Sequence, residues 1–279
     1  VIRDAVSELG VGWTYERHLR GGAAGAAVVR RPDGSPAVLK ICHGSLDREQ
    51  ERVARVRSLR AAGYPTPHED EPWLLASGLL ACVTDFVGEA EPVDALTEEL
   101  VDELCGLIGI QAGLAPNATG WGEWLHQSLT EGFGDWCRPA ALRGDPRCAA
   151  LADRAGAHAG EAAALEDASD LIHGDLHQGN LLTAAGRVKA VIDCGAVRTG
   201  DRWFDLVTAL TIAAAGPDEV REQLRRVVEQ QVPARRLTVY VAHHGVRLLD
   251  WALTWAPDQV DFWVATTGKE FDRYGVFGG

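Results

Sequence analysis

Apolar and polar positions alternate over residues 13–19, which predicts a strand. Residues 26–30 and 37–41 are two further apolar runs, and Pro32-Asp33-Gly34 stands between them. An apolar run, a D-G turn and a second apolar run predict a β-hairpin. Over 48–62 the period changes: Val53, Val56 and Leu59 recur at helical intervals, and Gly63, Pro65 and Pro67 stop the helix. Residues 74–86 read as another strand pair, broken at Ser77-Gly78. Gly88 to Pro92 then mark a boundary, so 1–87 and 88–279 are expected to form separate lobes. Beyond Pro92 the period is helical over 93–114, 146–165, 202–215, 218–230 and 233–255. One non-helical island interrupts it, residues 171–197, built of short β-like runs around glycines. The pattern is that of an α+β protein, β-rich first and mostly helical afterwards.

Composition adds limits. The 279 residues are 46% hydrophobic and 24% charged, enough for a sizeable core in one large domain or two lobes. No apolar run approaches the length of a membrane span. The first residues are charged, with no basic stretch leading into an apolar one, so no secretion signal is expected and a cytoplasmic location is. Six cysteines lie mostly among apolar neighbours without a C-x-x-C pair. They predict buried free thiols rather than a zinc site or a disulfide framework. The net charge of -13 falls wholly within 87–279, which hold 16 basic and 29 acidic residues, while 1–86 hold 11 of each. Such a balance does not suit nucleic acid or an anionic membrane as a partner; it suits a cationic ligand.

The unusual polar residues gather in the island. Asn180 follows Asp175 by five positions, and Asp193 follows thirteen later, between Ala190-Val191-Ile192 and Cys194-Gly195. Phosphoryl transfer needs such a set: one carboxylate to orient the attacking hydroxyl, and an amide oxygen and a second carboxylate for Mg²⁺. The apolar run before Asp193 would deliver it rigidly, and Gly195 is expected to make the sharp turn beside the phosphates.

The motifs H-G-D-L-H-Q-G-N at 173–180, V-I-D-C-G at 191–195 and G-D-R-W-F-D-L at 200–206 together resemble the aminoglycoside phosphotransferase and choline kinase group, relatives of the protein kinases. The resemblance implies a bilobal kinase-like fold, with 1–87 as nucleotide-binding lobe and 88–279 as catalytic and substrate-binding lobe. It implies Asp175 as catalytic base, Asn180 and Asp193 as Mg²⁺ ligands, and Asp205 as a brace for the catalytic loop. Lys40 resembles the lysine that pairs with the phosphates of ATP or GTP, and residues 20–25 the loop over them. That lysine calls for a glutamate on the next helix. Glu49 shares the face of Val53 and Val56; Glu51 points about 200° away but suits the family's spacing better, so both stay open. The segment 82–88 resembles the inter-lobe hinge, where the Thr84 carbonyl and Phe86 amide would bond the base. Gln178 stands where the family often has proline, Cys194 where it often has an aromatic, and 107–114 lacks a familiar Leu-His pair.

Two other readings use the same residues. His173, Asp175 and His177 have the spacing of zinc ligands, as in a hydrolase, but no second cluster completes the site; His243 and His244, neighbours on a helix, point about 100° apart. A nucleotide-binding pseudokinase usually lacks one of the positions that Lys40, Asp175, Asn180 and Asp193 fill. For the acceptor, the acidic excess and nine tryptophans suit a small cationic molecule. Trp121, Trp124 and Trp136 are among them, as is a C-terminal group of Asp250, Trp251, Trp255, Asp258, Asp261 and Trp263. The expectation is a hydroxyl of a cationic antibiotic, an aminoglycoside or a basic cyclic peptide of the viomycin or capreomycin type, with enzyme-conferred resistance. A metabolite such as choline or fructosamine is the alternative. Most of the tryptophans are expected to fill the helical core instead.

Overall fold

The alternation at 26–30 and 37–41 becomes an antiparallel hairpin in the computed structural model, which describes residues 1–19, 25–133 and 137–278. In chain order the elements are α1 (Ile2–Glu8), β1 (Thr14–Leu19), β2 (Ala26–Arg30), β3 (Pro36–Cys42), α2 (Leu46–Ala61), β4 (Trp73–Leu74), β5 (Leu80–Asp85) and β6 (Glu91–Pro92). Five helices follow: α3 (Glu98–Ile110), α4 (Trp121–Thr130), α5 (Pro139–Gly144), α6 (Ala149–Gly156) and α7 (Ala159–Ala163). The island supplies β7 (Asp170–Ile172), β8 (Leu181–Ala184), β9 (Arg187–Val191) and β10 (Arg198–Gly200). The chain ends on α8 (Trp203–Ile212), α9 (Asp218–Gln231), α10 (Ala234–Trp255) and α11 (Val260–Arg273). No helix among the described residues is long and apolar enough to cross a membrane.

Two compact units result, Val1–Val93 with Gly179–Arg198, and Asp94–Gln178 with Thr199–Gly279. Residues 179–198 group with the first unit although the boundary read from sequence lay at 87/88. Backbone pairing is the reason: β6 pairs with β8 and β8 with β9 in a small sheet, and the Val191 amide donates to the Pro65 carbonyl at 2.8 Å.

The first unit is built on an antiparallel sheet of order β1-β2-β3-β5-β4. Successive strand residues face opposite sides, so the two faces separate cleanly. Val29, Ala37, Leu39, Ala81 and Val83 face Ala5 and Val6 of α1 and form one core layer. Lys40, Cys42 and Cys82 alternate with these and therefore lie on the other face, which α2 approaches. Ser45 caps α2, its hydroxyl accepting from the Arg48 amide, and Val53, Val56 and Leu59 are buried along one stripe. Each such side chain contributes roughly 1.5–3 kcal/mol by burial. The expected loop at 20–25 lies, apart from Gly25, outside the described residues.

The second unit is a helical assembly around α8 and α10, both largely buried. Its centre is aromatic. Trp121 stacks on Trp124 at 5.1 Å, and Phe204 meets Trp121, Trp124, Tyr240, His243 and His244 at 4.3–5.7 Å. The core-filling expectation thus holds for Trp121, whereas Trp136 lies outside the described residues. Gly122 lets α4 run against the end of α7. A Cβ there would sit 2.8 Å from the Ala162 carbonyl oxygen and 2.9 Å from that of Leu165.

Candidate active site

In the first unit, Lys40 extends from β3 and its Nζ lies 2.8 Å from Asp193 Oδ1. Asp193 stands two residues past Val191, the buried end of β9, and its side chain is 46% exposed. Asn180, buried at the end of the 3-10 turn Gln178–Asn180 that leads into β8, accepts at its carbonyl the Ile192 amide at 2.9 Å. The turn was expected at Gly195. Instead Asp193 itself is left-handed, with φ 62° and ψ 51°, and Gly195 sits in the following 3-10 turn Cys194–Ala196. Outside glycine, Asp and Asn are the residues that tolerate this region best, so the expected ligand and the bend coincide in one residue.

The glutamate expected beside Lys40 is differently engaged. Glu49 does face inward, with 18% of its side chain exposed, while Glu51 is 67% exposed and pairs with Arg55. Yet Glu49 is paired with Arg52, whose Nε and Nη2 donate to Glu49 Oε1 at 2.8 and 2.6 Å. Arg52 also bonds Glu69 and donates to the Cys194 carbonyl at 3.0 Å. The forked guanidinium binds two carboxylates and a carbonyl at once, which a lysine ammonium does less well. Burial alone would lower the Arg52 pKa, but Glu69 and Glu49 more than offset it and hold it above the ordinary value. Lys40 is left to Asp193. No periodicity argument could have found Arg52 in this role, because its partners Glu69 and Cys194 are remote in sequence.

Thr84 and Phe86 lie at the end of β5, with Thr84 opposite Val38 on β3. The Phe86 amide, expected to be open to a nucleotide base, donates to the Pro36 carbonyl at 3.3 Å. It is therefore engaged, through a long bond that continues the β3–β5 pairing past Asp85.

In the second unit, the loop after β7 is held by one buried carboxylate. Asp205, fully buried on α8, accepts the His173 amide at 2.7 Å, the Gly174 amide at 2.8 Å and Gln111 Nε2 at 2.7 Å. Burial raises the Asp205 pKa against these bonds. Gln111 stands in the stretch 107–114 where the usual Leu-His pair is missing. Gly174 takes φ 78°, which delivers Asp175. Asp175 is 29% exposed, and Arg247 on α10 donates to its Oδ1 at 2.5 Å and to the Gly174 carbonyl at 2.8 Å. Burial would raise the Asp175 pKa; the charges of Arg247, His177 and His173 outweigh it and hold the carboxyl far below the usual range. Arg247 was not singled out from sequence. It lies 72 residues from Asp175, and one arginine in a helix carries no local signal.

The zinc reading loses His173, and the second His pair does not complete it. His173 is fully buried, and its Nδ1 accepts from the Asp175 amide at 3.3 Å. His243 Nδ1 bonds Ser128 and His244 Nε2 bonds Thr208 and the Phe204 carbonyl. A magnesium ion fits the first unit better. Asp193 would offer it a half-exposed carboxylate and Asn180 an amide oxygen, hard oxygen donors on two segments tied together by the bond from the Ile192 amide to the Asn180 carbonyl.

The C-terminal group expected at the acceptor divides. Asp250 is wholly buried and bound by Arg138, through its backbone amide at 3.0 Å and Nη2 at 2.8 Å, and Trp263 is 4% exposed. Both are structural. Trp251 and Trp255 are 41% and 56% exposed and remain available. A separate cleft of about 570 Å³ in the second unit is lined by Asp167, Asp170, Asp201, Arg202, Trp203 and Arg236, among others. It includes Asp201, Arg202 and Trp203 of the G-D-R-W-F-D-L motif but none of the residues expected to bind nucleotide, metal or acceptor, and Asp170 and Asp201 are paired there with Arg202 and Arg236.

No curated protein matches the chain. Among solved structures it is similar to a thermostable mutant of aminoglycoside phosphotransferase APH(4)-Ia in ternary complex with AMP-PNP and hygromycin B, at 18% identity and TM-score 0.70, over 99% of this chain and 98% of that one. It is similar to choline kinase LicA from Streptococcus pneumoniae, at 14% identity and TM-score 0.61, over 99% and 98%. Amicoumacin kinase hAmiN, in complex with AMP-PNP, Ca²⁺ and Ami, is similar at 15% identity and TM-score 0.61, over 97% and 93%. These likenesses establish the fold, which is protein-kinase-like, with a β-rich N-terminal part and a mostly helical C-terminal part. The phosphotransferase enzyme family (APH) matches residues 6–237, a span that contains Lys40, Asp175, Asn180, Asp193 and Asp205, and the chain belongs to that family.

Proposed function

We propose that the protein is a small-molecule kinase that moves the γ-phosphoryl group of ATP or GTP to a hydroxyl of a cationic antibiotic, an aminoglycoside or a basic cyclic peptide, and so confers resistance. The observation that carries the phosphotransferase part is the placement of Lys40 against Asp193, with Asn180 tied to the same strand pair. A cation and two hard oxygen donors side by side suit the phosphates of a nucleotide and its Mg²⁺. Bound Mg²⁺ would offset the charge that builds on the phosphates during transfer. Lys40 would leave Asp193 for the α- and β-phosphates, and Asn180 and Asp193 would hold the metal. The end of β5, Thr84 to Phe86, would meet the base, with the Phe86 amide exchanging its long bond to Pro36. Residues 1–87 would thus do most of the nucleotide binding, and 88–279 would supply the base and the acceptor site. Glu49 would act on this site through Arg52 and the Cys194 carbonyl; Glu51 would take no part.

Asp175 would orient the acceptor hydroxyl and receive its proton late. A carboxylate paired with an arginine is a weak base, which suits a loose transfer in which positioning and charge stabilisation supply most of the rate. The acceptor assignment rests on the acidic excess in 87–279 and the exposed Trp251 and Trp255, and the amicoumacin and hygromycin B complexes of the structural neighbours lend it support. The same residues would serve a small metabolite such as choline.

The test is a panel of aminoglycosides, basic cyclic peptides, choline and fructosamine, assayed with Mg²⁺ and ATP or GTP for nucleoside diphosphate release. Release with one cationic antibiotic is expected. Release with choline or fructosamine alone would overturn the resistance reading. Nucleotide binding without release for any hydroxyl compound would favour a pseudokinase.

A further inference from the structure

The face of the first unit's sheet that carries Lys40 also carries two thiols. Lys40 lies opposite Cys82 across the β3–β5 ladder, and Cys42 lies two residues beyond Lys40 on the same face. The Cys82 thiol donates to Glu49 Oε1 at 3.3 Å. Cys42 Sγ, Cys82 Sγ and a Glu49 carboxylate oxygen all lie within 4.8 Å of one another. The nucleotide reading uses Glu49 through Arg52 but gives neither thiol a part.

We propose that Cys42, Cys82 and Glu49 form a binding site for a soft divalent cation of the zinc class, next to the nucleotide-binding residues. Two thiolates on one tetrahedral zinc stand about 3.8 Å apart, so only small side-chain movements separate the present cluster from a closed one. Two sulfurs and one carboxylate leave a fourth position for water. Cys42 is half-buried and gives the site an open side, while Cys82 is buried and Glu49 is fixed on a capped helix. Two thiolates and a carboxylate carry three negative charges; the divalent cation offsets two, and Arg52, which is shared with Glu69, offsets part of the third. Hard Mg²⁺ would not compete for sulfur. Each thiol releases one proton to solvent as it binds the metal, so affinity rises with pH.

The site bears on the neighbouring chemistry through Arg52. Metal at Glu49 Oε1 takes an acceptor from Arg52, which donates at 3.0 Å to the carbonyl of Cys194, the residue after Asp193. Occupancy is therefore expected to slow turnover.

Cadmium reports the site directly. Cd²⁺ is titrated into reduced, chelator-cleared, nucleotide-free protein, and the ultraviolet sulfur-to-cadmium charge-transfer band is followed. One equivalent is expected to bind with the band, and Zn²⁺ to displace it. The double substitution Cys42→Ser with Cys82→Ser should abolish the band, and Glu49→Gln should weaken binding by about tenfold or more. No band in the unaltered protein, or an equal band in the double variant, overturns the proposal. Should circular dichroism show the double variant unfolded, the unaltered protein is labelled with iodoacetamide and mapped. Slower labelling of Cys42 with Zn²⁺ supports the site, and equal labelling overturns it. None of these measurements depends on the phosphotransferase reading.

Discussion

Asp175 owes its character to three neighbours. Arg247, His177 and His173 keep it ionised in surroundings that would otherwise favour the neutral acid. Asp175→Asn keeps the shape and removes the charge. It is expected to reduce turnover by about a thousandfold or more while nucleotide binding survives, measured by diphosphate release and nucleotide titration. Arg247→Gln separates the two effects. Without the guanidinium, burial raises the Asp175 pKa, so the acid limb of the kcat/KM profile should move to higher pH by about one unit or more. An unmoved limb would show that Arg247 does not act on this carboxylate. His244 bears on stability instead. Burial holds its pKa at about 3, against an ordinary 6.5. Between those values the unfolded chain binds a proton that the folded chain refuses, so stability falls as pH drops below 6.5. The slope contributed is at most about 1.4 kcal/mol per pH unit, and it should shrink in His244→Gln when urea unfolding is compared near neutral and near pH 5. Asp175 contributes in a different window: its stabilisation is present above the unfolded carboxyl value and is lost only in stronger acid.

At the scale of elements, one helix residue holds the loop that presents Asp175. Asp205→Ala would leave the His173 and Gly174 amides without their buried acceptor. Each unsatisfied group costs about 1–3 kcal/mol, so a loss of roughly 3 kcal/mol is expected by urea unfolding, with activity lost as well. This brace was legible as G-D-R-W-F-D-L, but its third bond, from Gln111 on the segment after α3, was not. Pairing across 94 residues leaves no local pattern. The approach of α4 to α7 sets two effects against each other. Gly→Ala inside a helix normally gains about 1 kcal/mol, and overpacking costs about 1–3. The atoms facing Gly122 are backbone carbonyls that cannot rotate away, so Gly122→Ala is expected to destabilise, and a raised Tm would contradict this.

For the whole molecule, the charge of -13 matters more than any single pair. Long-range attraction between an acidic protein and a polycationic acceptor is screened within about 8–10 Å at physiological salt. The KM for such an acceptor is therefore expected to rise with ionic strength, while that for an uncharged hydroxyl compound stays nearly constant. A flat response for both would argue against electrostatic capture. The acidic C-terminal group shows why composition alone could not name the acceptor site. Asp250 and Trp263 are spent on packing, and the same letters in sequence carry no mark of that.

What the sequence determined by itself was local and periodic: the hairpin, α2, the helical second half, and the spacing of Asp175, Asn180 and Asp193. These follow from patterns of a few residues, where the physics of burial and turns acts along the chain. Tertiary structure alone decided the partners. It gave Glu49 to Arg52, Lys40 to Asp193 and Asp175 to Arg247, and it put the bend on Asp193 in place of Gly195. Side-chain pairing depends on distances between elements far apart in sequence, and on which donor geometry satisfies the most acceptors once they meet.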